Sequence, residues 1–211
     1  MAEEELKKFF SKIAPQYDQY AKERIKYQAH IDVPQRLMDL HQKQTATVLD
    51  LACGTGLSSE LFFQAGCVVS GVDFSPGMIE VARSHPYKEL HCQSIEDDLP
   101  FADCSFDIVS MIGALEFVKA PAVLLKSICR VLKVRGLCAL TLPQPTEAAE
   151  ELEIITYSQD AFMRFVDTSE FELVDSMALY GWESGHVSEL DGRFDVPRHK
   201  VNYVALFFRK L

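Results

Sequence analysis

The sequence predicts an α/β domain built on a mostly parallel sheet with an antiparallel C-terminal edge and helices on both faces. Three observations carry this. Short apolar strands alternate with amphipathic helices between Thr47 and Leu142. A Gly-Thr-Gly turn joins the first strand to the helix after it. The tail ends in two long apolar runs with no helix between them. Alternating strands and helices form right-handed βαβ units around a parallel sheet. Two strands without a crossover helix can pair antiparallel.

Taken in order, Glu3 to about His41 reads as helix, with a break expected near Pro15. Phe9, Phe10, Ile13 and Tyr17 recur there at helical spacing, and a second amphipathic run covers Val33 to Leu40. Thr47–Leu51 is the first strand, and Leu57 to Ala65 is a helix with Ser58, Ser59 and Glu60 in its first turn. Cys67–Val72 is the second strand, near-continuously apolar as a doubly covered parallel strand should be. Pro76 opens the next helix, with Met78, Ile79, Val81 and Ala82 inward. Glu89–Ile95 and Phe106–Ile112 are the third and fourth strands. A helix from about Ala120 to Leu132 leads through Gly136 into a fifth strand, Leu137–Leu142. Gln159–Val166 is helical, and Phe171–Tyr180 and Asn202–Phe208 are strands. The chain then divides into a helical lid (1–41), a core (45–145) and a C-terminal helix with strands (146–211), all within one domain.

With 211 residues the chain is long enough to bury a core. An apolar fraction of 48% and a charged fraction of 25% are ordinary globular values. A formal charge of -10 argues against nucleic acid as partner, because phosphate binders need an extended basic face. The six cysteines show no C-x-x-C spacing. They read as small buried hydrophobes rather than disulfides or metal ligands, so no metal is expected. The N-terminus lacks an apolar signal core and no run reaches membrane-spanning length, so a cytoplasmic location and no membrane partner are expected.

The chemistry concentrates after the first two strands. Gly54 and Gly56 let the backbone turn tightly and let a ligand approach, at the sheet edge where open α/β folds bind ligands. Asp73, ending the second strand, is placed to accept hydrogen bonds from vicinal ribose hydroxyls. A dinucleotide site would carry a third glycine three residues after Gly56, where this chain has Ser59. Asp50 beside the loop would repel a pyrophosphate and favour a ligand bearing an ammonium and a sulfonium. A nicotinamide-dependent oxidoreductase is disfavoured on both counts.

Val48-Leu49-Asp50-Leu51-Ala52-Cys53-Gly54-Thr55-Gly56 resembles motif I of the class I S-adenosylmethionine (SAM)-dependent methyltransferases. Gly71 to Met78, Leu99-Pro100-Phe101, Ser105 to Val109 and Leu132 to Leu137 resemble the segments that follow in that superfamily. The likeness covers about 45–145. It implies a Rossmann-like fold with a seven-stranded sheet, SAM as cofactor, and a small-molecule or carrier-bound methyl acceptor. Carried over residue by residue, Gly54, Gly56 and Ala52 line the methionyl and ribose region. Asp73 takes the ribose hydroxyls, Phe74 packs against adenine, and Met78 is counted among the cofactor-binding residues. Ser94 and Ile95 hold the base by backbone and apolar contact, where many relatives place an acid. Gly113 offers its backbone to the methionyl group, and Asp50 holds the loop or reaches the ammonium through water.

Phe10 to Asp18, with Ala21 and Gln28, also resembles the start of the malonyl-carrier-protein O-methyltransferases of biotin synthesis. Tyr27 to Pro34 and Ile112 to Leu115 resemble the small methyltransferase-like proteins of the Williams–Beuren type. A malonyl-carrier-protein O-methyltransferase and a non-catalytic SAM-binding protein are therefore alternative functions. Tyr17 and Tyr27 either close over SAM or pack as core aromatics. Glu116, Glu183 and His186 are candidate bases, none obligatory, since proximity alone accelerates methyl transfer, and no catalytic residue is assigned. Lys119, Lys126, Arg130, Lys133 and Arg135 form either a solvated helix face or a dock for an acidic carrier. Trp182 lines an acceptor pocket or covers the core. Oligomeric state is not legible.

Overall fold

The computed structural model describes residues 3–24, 28–145, 155–179, 183–184, 199–200 and 202–211. Its strands are β1 (Thr47–Leu51), β2 (Val68–Asp73), β3 (Glu89–Cys92), β4 (Phe106–Met111), β5 (Leu132–Pro143), β6 (Phe171–Leu179), β7 (Glu183–Ser184), β8 (His199–Lys200) and β9 (Tyr203–Lys210). Its α-helices are α1 (Glu3–Gln19), α2 (Ala29–His41), α3 (Glu60–Gln64), α4 (Pro76–Ala82), α5 (Pro121–Val131) and α6 (Gln159–Met163). Seven strands form one sheet in the order β3-β2-β1-β4-β5-β9-β6, and β7 pairs with β8 apart from it. From β3 to β5 all pairings are parallel. β9 inserts antiparallel between β5 and β6, giving the mixed edge that the tail predicts.

Alternation within each strand builds two cores. Leu49, Leu51 and Val109 face a layer containing Leu124, Ile128 and Val131 of α5, Phe162 of α6, and Phe208. Val48, Val69 and Ile108 face the other way, onto Val33 and Leu37 of α2, Phe62 of α3, and Phe207. Successive side chains of a strand point to opposite faces, so a sheet covered twice needs apolar residues at almost every position. β1 supplies them except at Thr47, where the strand begins, and Asp50.

The structure revises several expected boundaries. α1 runs through Pro15, and the interruption comes later, in a π-helical turn at Tyr20–Arg24. Pro15 removes the bond its missing N–H would have made to the Ser11 carbonyl and crowds that carbonyl, yet the helix continues past it, with Ile13 and Ala14 buried against α4. β3 stops at Cys92 rather than Ile95, since an edge strand has a partner on one side only. β5 starts at Leu132 rather than Leu137, and its register with β4 shifts between Phe106 and Ile108 to accommodate Gly136. Cys53, Cys67 and Cys138 are buried as expected. Cys92 and Cys104 are exposed, one on the edge strand and the other in a turn with φ of 51°. Among the described residues no helix is long and apolar enough to cross a membrane.

The segment before β1 divides in two. α2 packs flat on the sheet. α1 sits on α4 and on the loops beyond the carboxyl ends of β1, β2 and β4. Ile13 and Ala14 are buried against Met78 of α4. Gly77 lets the helices touch, because a Cβ there would lie 2.6 Å from the Ser11 backbone. Gly77→Ala should therefore push α1 away while leaving the sheet intact. Hydrogen exchange should speed up between Phe9 and Gln19, and the main thermal transition should move little. Unchanged exchange in α1 would show that this contact does not seat the helix.

Candidate functional site

The site grows from the carboxyl ends of β1 and β2. The chain leaves β1 through Ala52, with φ of 54°, and turns at Gly54 (φ 55°) and Gly56 (φ 99°). The two glycines serve different ends. A Cβ on Gly56 would come within 2.8 Å of His85 and 3.3 Å of Tyr87, so Gly56 is demanded by packing inside the protein. A Cβ on Gly54 would meet nothing within 4 Å. Gly54 therefore fronts open space, where a ligand can approach. Sequence reasoning assigned both to ligand contact; only the fold distinguishes them.

Asp73 joins this loop to the next. Its Oδ2 accepts the Gly54 N–H at 2.9 Å, and its Oδ1 accepts the Ser75 N–H at 2.8 Å. Ser75 in turn caps α4, accepting the Met78 N–H at 3.3 Å. Burial pushes the Asp73 carboxyl up to about 6, against the opposing pull of those two backbone donors. Each carboxylate oxygen retains a lone pair for a further donor.

Asp50 lies beneath the loop with no exposed surface. Its Oδ2 accepts from Ser59 at 2.6 Å and more weakly from Ser58 at 3.4 Å, which fixes the start of the segment leading into α3. Its Oδ1 has no hydrogen-bond partner among the described residues. The buried Tyr87 hydroxyl lies beside it. Burial raises the Asp50 carboxyl to about 7.

α1 closes the other side. The Ser11 and Ser75 hydroxyls are 2.9 Å apart, and Thr55 donates a short hydrogen bond to Asp18. Phe10 meets Phe74 edge-on at 6.2 Å between ring centres and Phe117 at 5.8 Å. Tyr17 reaches the same region. Its phenol is pushed up to about 12, first by burial and then by the charges of Glu116, Asp18 and Asp73.

The remaining assigned residues fall at or near this edge. Phe74 follows β2 and is half-buried. Met78 is buried between α4 and α1. Ile95 is half-buried against the main core, and the Ser94 hydroxyl accepts the Glu96 N–H at 3.3 Å. Glu96, the acid flanking Ile95, is occupied elsewhere: its Oε1 accepts the Lys119 and Ala120 N–H groups, both at 2.9 Å, ahead of α5. The Gly113 N–H is taken by Thr141 Oγ1 at 2.7 Å, which leaves its carbonyl for a ligand. Tyr27, Trp182 and His186 lie outside the described residues, as does the Glu183 side chain. Of the basic stretch, Arg130 is engaged by the carbonyls of Leu99 and Phe101 and by Asp98 and Asp103. Lys133 is engaged by Thr47 and Asp107. Those two cations brace the loop and strand rather than presenting a docking face.

A SAM-like ligand fits this donor set. This sheet edge offers a paired-acceptor carboxylate, an open glycine and a half-buried aromatic, under a helix that brings further acids. Residues 49–140 match the methyltransferase domain family. The chain is similar to a ubiquinone biosynthesis O-methyltransferase of Coxiella burnetii, with 28% identity over 199 residues, covering 84% of this chain and 85% of that protein. A protein of the same description from Xanthomonas oryzae pv. oryzae is 34% identical over 115 residues, 52% of this chain and 48% of its own. Among solved structures, the complex of the Haloferax volcanii Trm112 methyltransferase activator with a methyltransferase matches with a TM-score of 0.71 and 19% identity, covering 95% of this chain and 96% of that chain. Geranyl diphosphate C-methyltransferase from Streptomyces coelicolor A3(2), solved with S-adenosyl-L-homocysteine (SAH), matches with a TM-score of 0.66 and 17% identity, over 84% of this chain and 74% of that one. The family match spans the strands from β1 into β5, and the structural likenesses carry the fold alone.

Asp50 makes a stability prediction. Its pKa is raised in the fold, so its contribution is fully present below the unfolded value near 3.8 and is lost as pH climbs through about 7. Asp50→Asn carries no charge at any pH. Melting curves of the ligand-free proteins should therefore show the variant gaining on the wild type between roughly pH 5 and pH 8. A constant gap across that range would contradict a strained, buried carboxylate.

Proposed function

We propose that this chain is a class I SAM-dependent methyltransferase that holds SAM across the Gly54 loop and Asp73 and passes its methyl group to a small-molecule acceptor beneath α1. SAM supplies, when bound, a methyl group on a positively charged sulfur. The chain supplies position and field. Asp73 binds the ribose hydroxyls, Phe74 and Ile95 flank the adenine, with Met78 and Ser94 behind them, and Gly54, Ala52 and the Gly113 carbonyl line the methionyl side. Gly56 shapes the turn, and Asp50 holds the loop from below. Tyr17 closes the pocket from α1, and Tyr27 is proposed to join it.

The single observation that carries this reading is the Asp73 carboxylate, buried yet bonded, among the described residues, only to backbone N–H groups of the loops after β1 and β2. Asp18, Glu116 and Asp50 make the surroundings acidic. An acidic pocket favours a cationic sulfonium over a neutral thioether, so it holds the substrate form of the cofactor more strongly than the spent form. The names of the sequence relatives point to oxygen as the atom methylated. The malonyl-carrier alternative draws no support from Arg130 and Lys133, which are engaged internally. The location is proposed to be cytoplasmic.

Two measurements follow. Charge-assisted hydrogen bonds to a buried carboxylate contribute about 1.5–3 kcal/mol each. In calorimetry, Asp73→Ala should weaken SAM and SAH alike, by at least about tenfold. Normal binding with turnover alone lost would contradict the ribose role. Residues before β1 are proposed to act as a lid, with α1 the moving part. SAM should then slow amide exchange between Phe9 and Gln28. Exchange there that is slow without SAM and unaltered by it would mark α1 as a fixed wall.

A further inference from the structure

Glu116 is a buried carboxylate that the cofactor reading leaves without a task. It stands in the single turn Leu115–Phe117 just beyond β4, on the same sheet edge as Asp73. It is 8% exposed. Its Oε1 accepts the Tyr203 hydroxyl at 2.9 Å, from the start of β9. Its Oε2 is buried with no hydrogen-bond partner among the described residues. Buried carboxylate oxygens are almost always satisfied, so an open one needs an explanation. Among the described residues, the titratable groups recorded around it are Tyr203 from β9 and Tyr17 from α1, with Asp18 and Asp73 beyond Tyr17.

The chemistry of methyl acceptors separates the uses of such a group. A carboxylate acceptor is already nucleophilic and would be repelled by Glu116. A neutral amine attacks through its free electron pair and can lose its proton afterwards. A hydroxyl is a poor nucleophile until its proton begins to leave, so it alone needs a base beside it at the moment of attack. We infer that Glu116, oriented by Tyr203, is the catalytic base that receives the acceptor's proton, and that the acceptor is accordingly an uncharged hydroxyl compound. The inference rests on the SAM site proposed above. In the step, the acceptor O–H bond breaks and its proton passes to Glu116 Oε2. The oxygen's electron pair forms the new bond to the methyl carbon. The carbon–sulfur bond breaks with its pair left on sulfur, which becomes the neutral thioether of SAH. Burial raises the Glu116 carboxyl, and the Tyr203 hydrogen bond opposes that rise. A base so tuned can hold the transferred proton and then release it.

The test compares wild type, Glu116→Gln and Tyr203→Phe, with catechol as the hydroxyl probe, benzylamine as the amine probe and butyrate as the carboxylate probe. SAH affinity is measured by calorimetry for each protein. Wild type should convert catechol to its methyl ether. Glu116→Gln, which keeps the shape and the acceptor for Tyr203, should lower kcat by about 10²–10⁴-fold with SAH affinity unchanged. Tyr203→Phe should move the acidic limb of the pH–rate profile to higher pH, since it removes a donor that favours the charged carboxylate. A readout free of any acceptor keeps the inference falsifiable. In the SAH complex, the carboxyl carbon resonance missing from Glu116→Gln should titrate, and should titrate at higher pH in Tyr203→Phe. Full turnover in Glu116→Gln, methylation of butyrate or benzylamine in preference to catechol, or a Glu116 carboxyl unmoved by Tyr203→Phe would each overturn the inference. Failure of the wild type to bind SAH would instead defeat the cofactor reading on which it rests.

Discussion

A buried carboxylate has to be held by donors or give up its charge. Asp73 is held by two backbone N–H groups from two different loops. One belongs to the glycine turn after β1, and the other opens α4 after β2. The parallel pairing of β1 and β2 brings the strands' ends together; the carboxylate fixes how the loops beyond them lie. Ser75, positioned by that bond, caps α4 and meets Ser11. The seat of α1 and the placement of Phe10 against Phe74 follow from it. One side chain thus sets the shape of the ligand edge and presents its remaining lone pairs to whatever enters.

The same edge gathers acids from separate elements. Asp18 comes from α1, Asp73 from β2 and Glu116 from the turn after β4, with Asp50 beneath. Burial favours the neutral forms of Asp73, Glu116 and Asp50 when nothing positive is near. A sulfonium ligand relieves that tension, and a neutral thioether relieves less of it. On the proposed reading, destabilisation stored in the ligand-free site becomes preference for the reactive cofactor and easier departure of the spent one. On the same reading, two roles divide between carboxylates a few elements apart: Asp73, held by two backbone donors, is proposed to bind, and Glu116, with one oxygen open, to take a proton.

Much of this was legible in the sequence, and the reasons are local. β1, β2, β4 and α5 announce themselves because doubly buried strands and amphipathic helices leave strong apolar patterns. Asp73 and Gly54 stand out because strand-ending acids and glycine turns have few other uses. What the sequence hid was long-range. The different duties of Gly54 and Gly56 depend on His85 and Tyr87, some thirty residues on, whose rings approach only one of them. The commitment of Glu96 to the segment before α5 depends on a loop returning from β4. Pro15 signals a break, yet the helix runs through it with Ile13 and Ala14 buried against Met78 of α4, a contact the local sequence does not reveal. Glu116 was visible as an acid near the right edge, but its open oxygen and its Tyr203 partner exist only once β9 has threaded between β5 and β6.

The account's central claim is that the Gly54 loop, Asp73 and α1 together enclose the cofactor. A crystal structure of the protein with SAH tests it most directly. The claim predicts both ribose hydroxyls within hydrogen-bonding distance of the Asp73 carboxylate, the adenine against Phe74, the backbone of Gly54 in van der Waals contact with the ligand, and Tyr17 closing over it from α1. SAH bound away from Asp73, or lying outside the cover of α1, would contradict it.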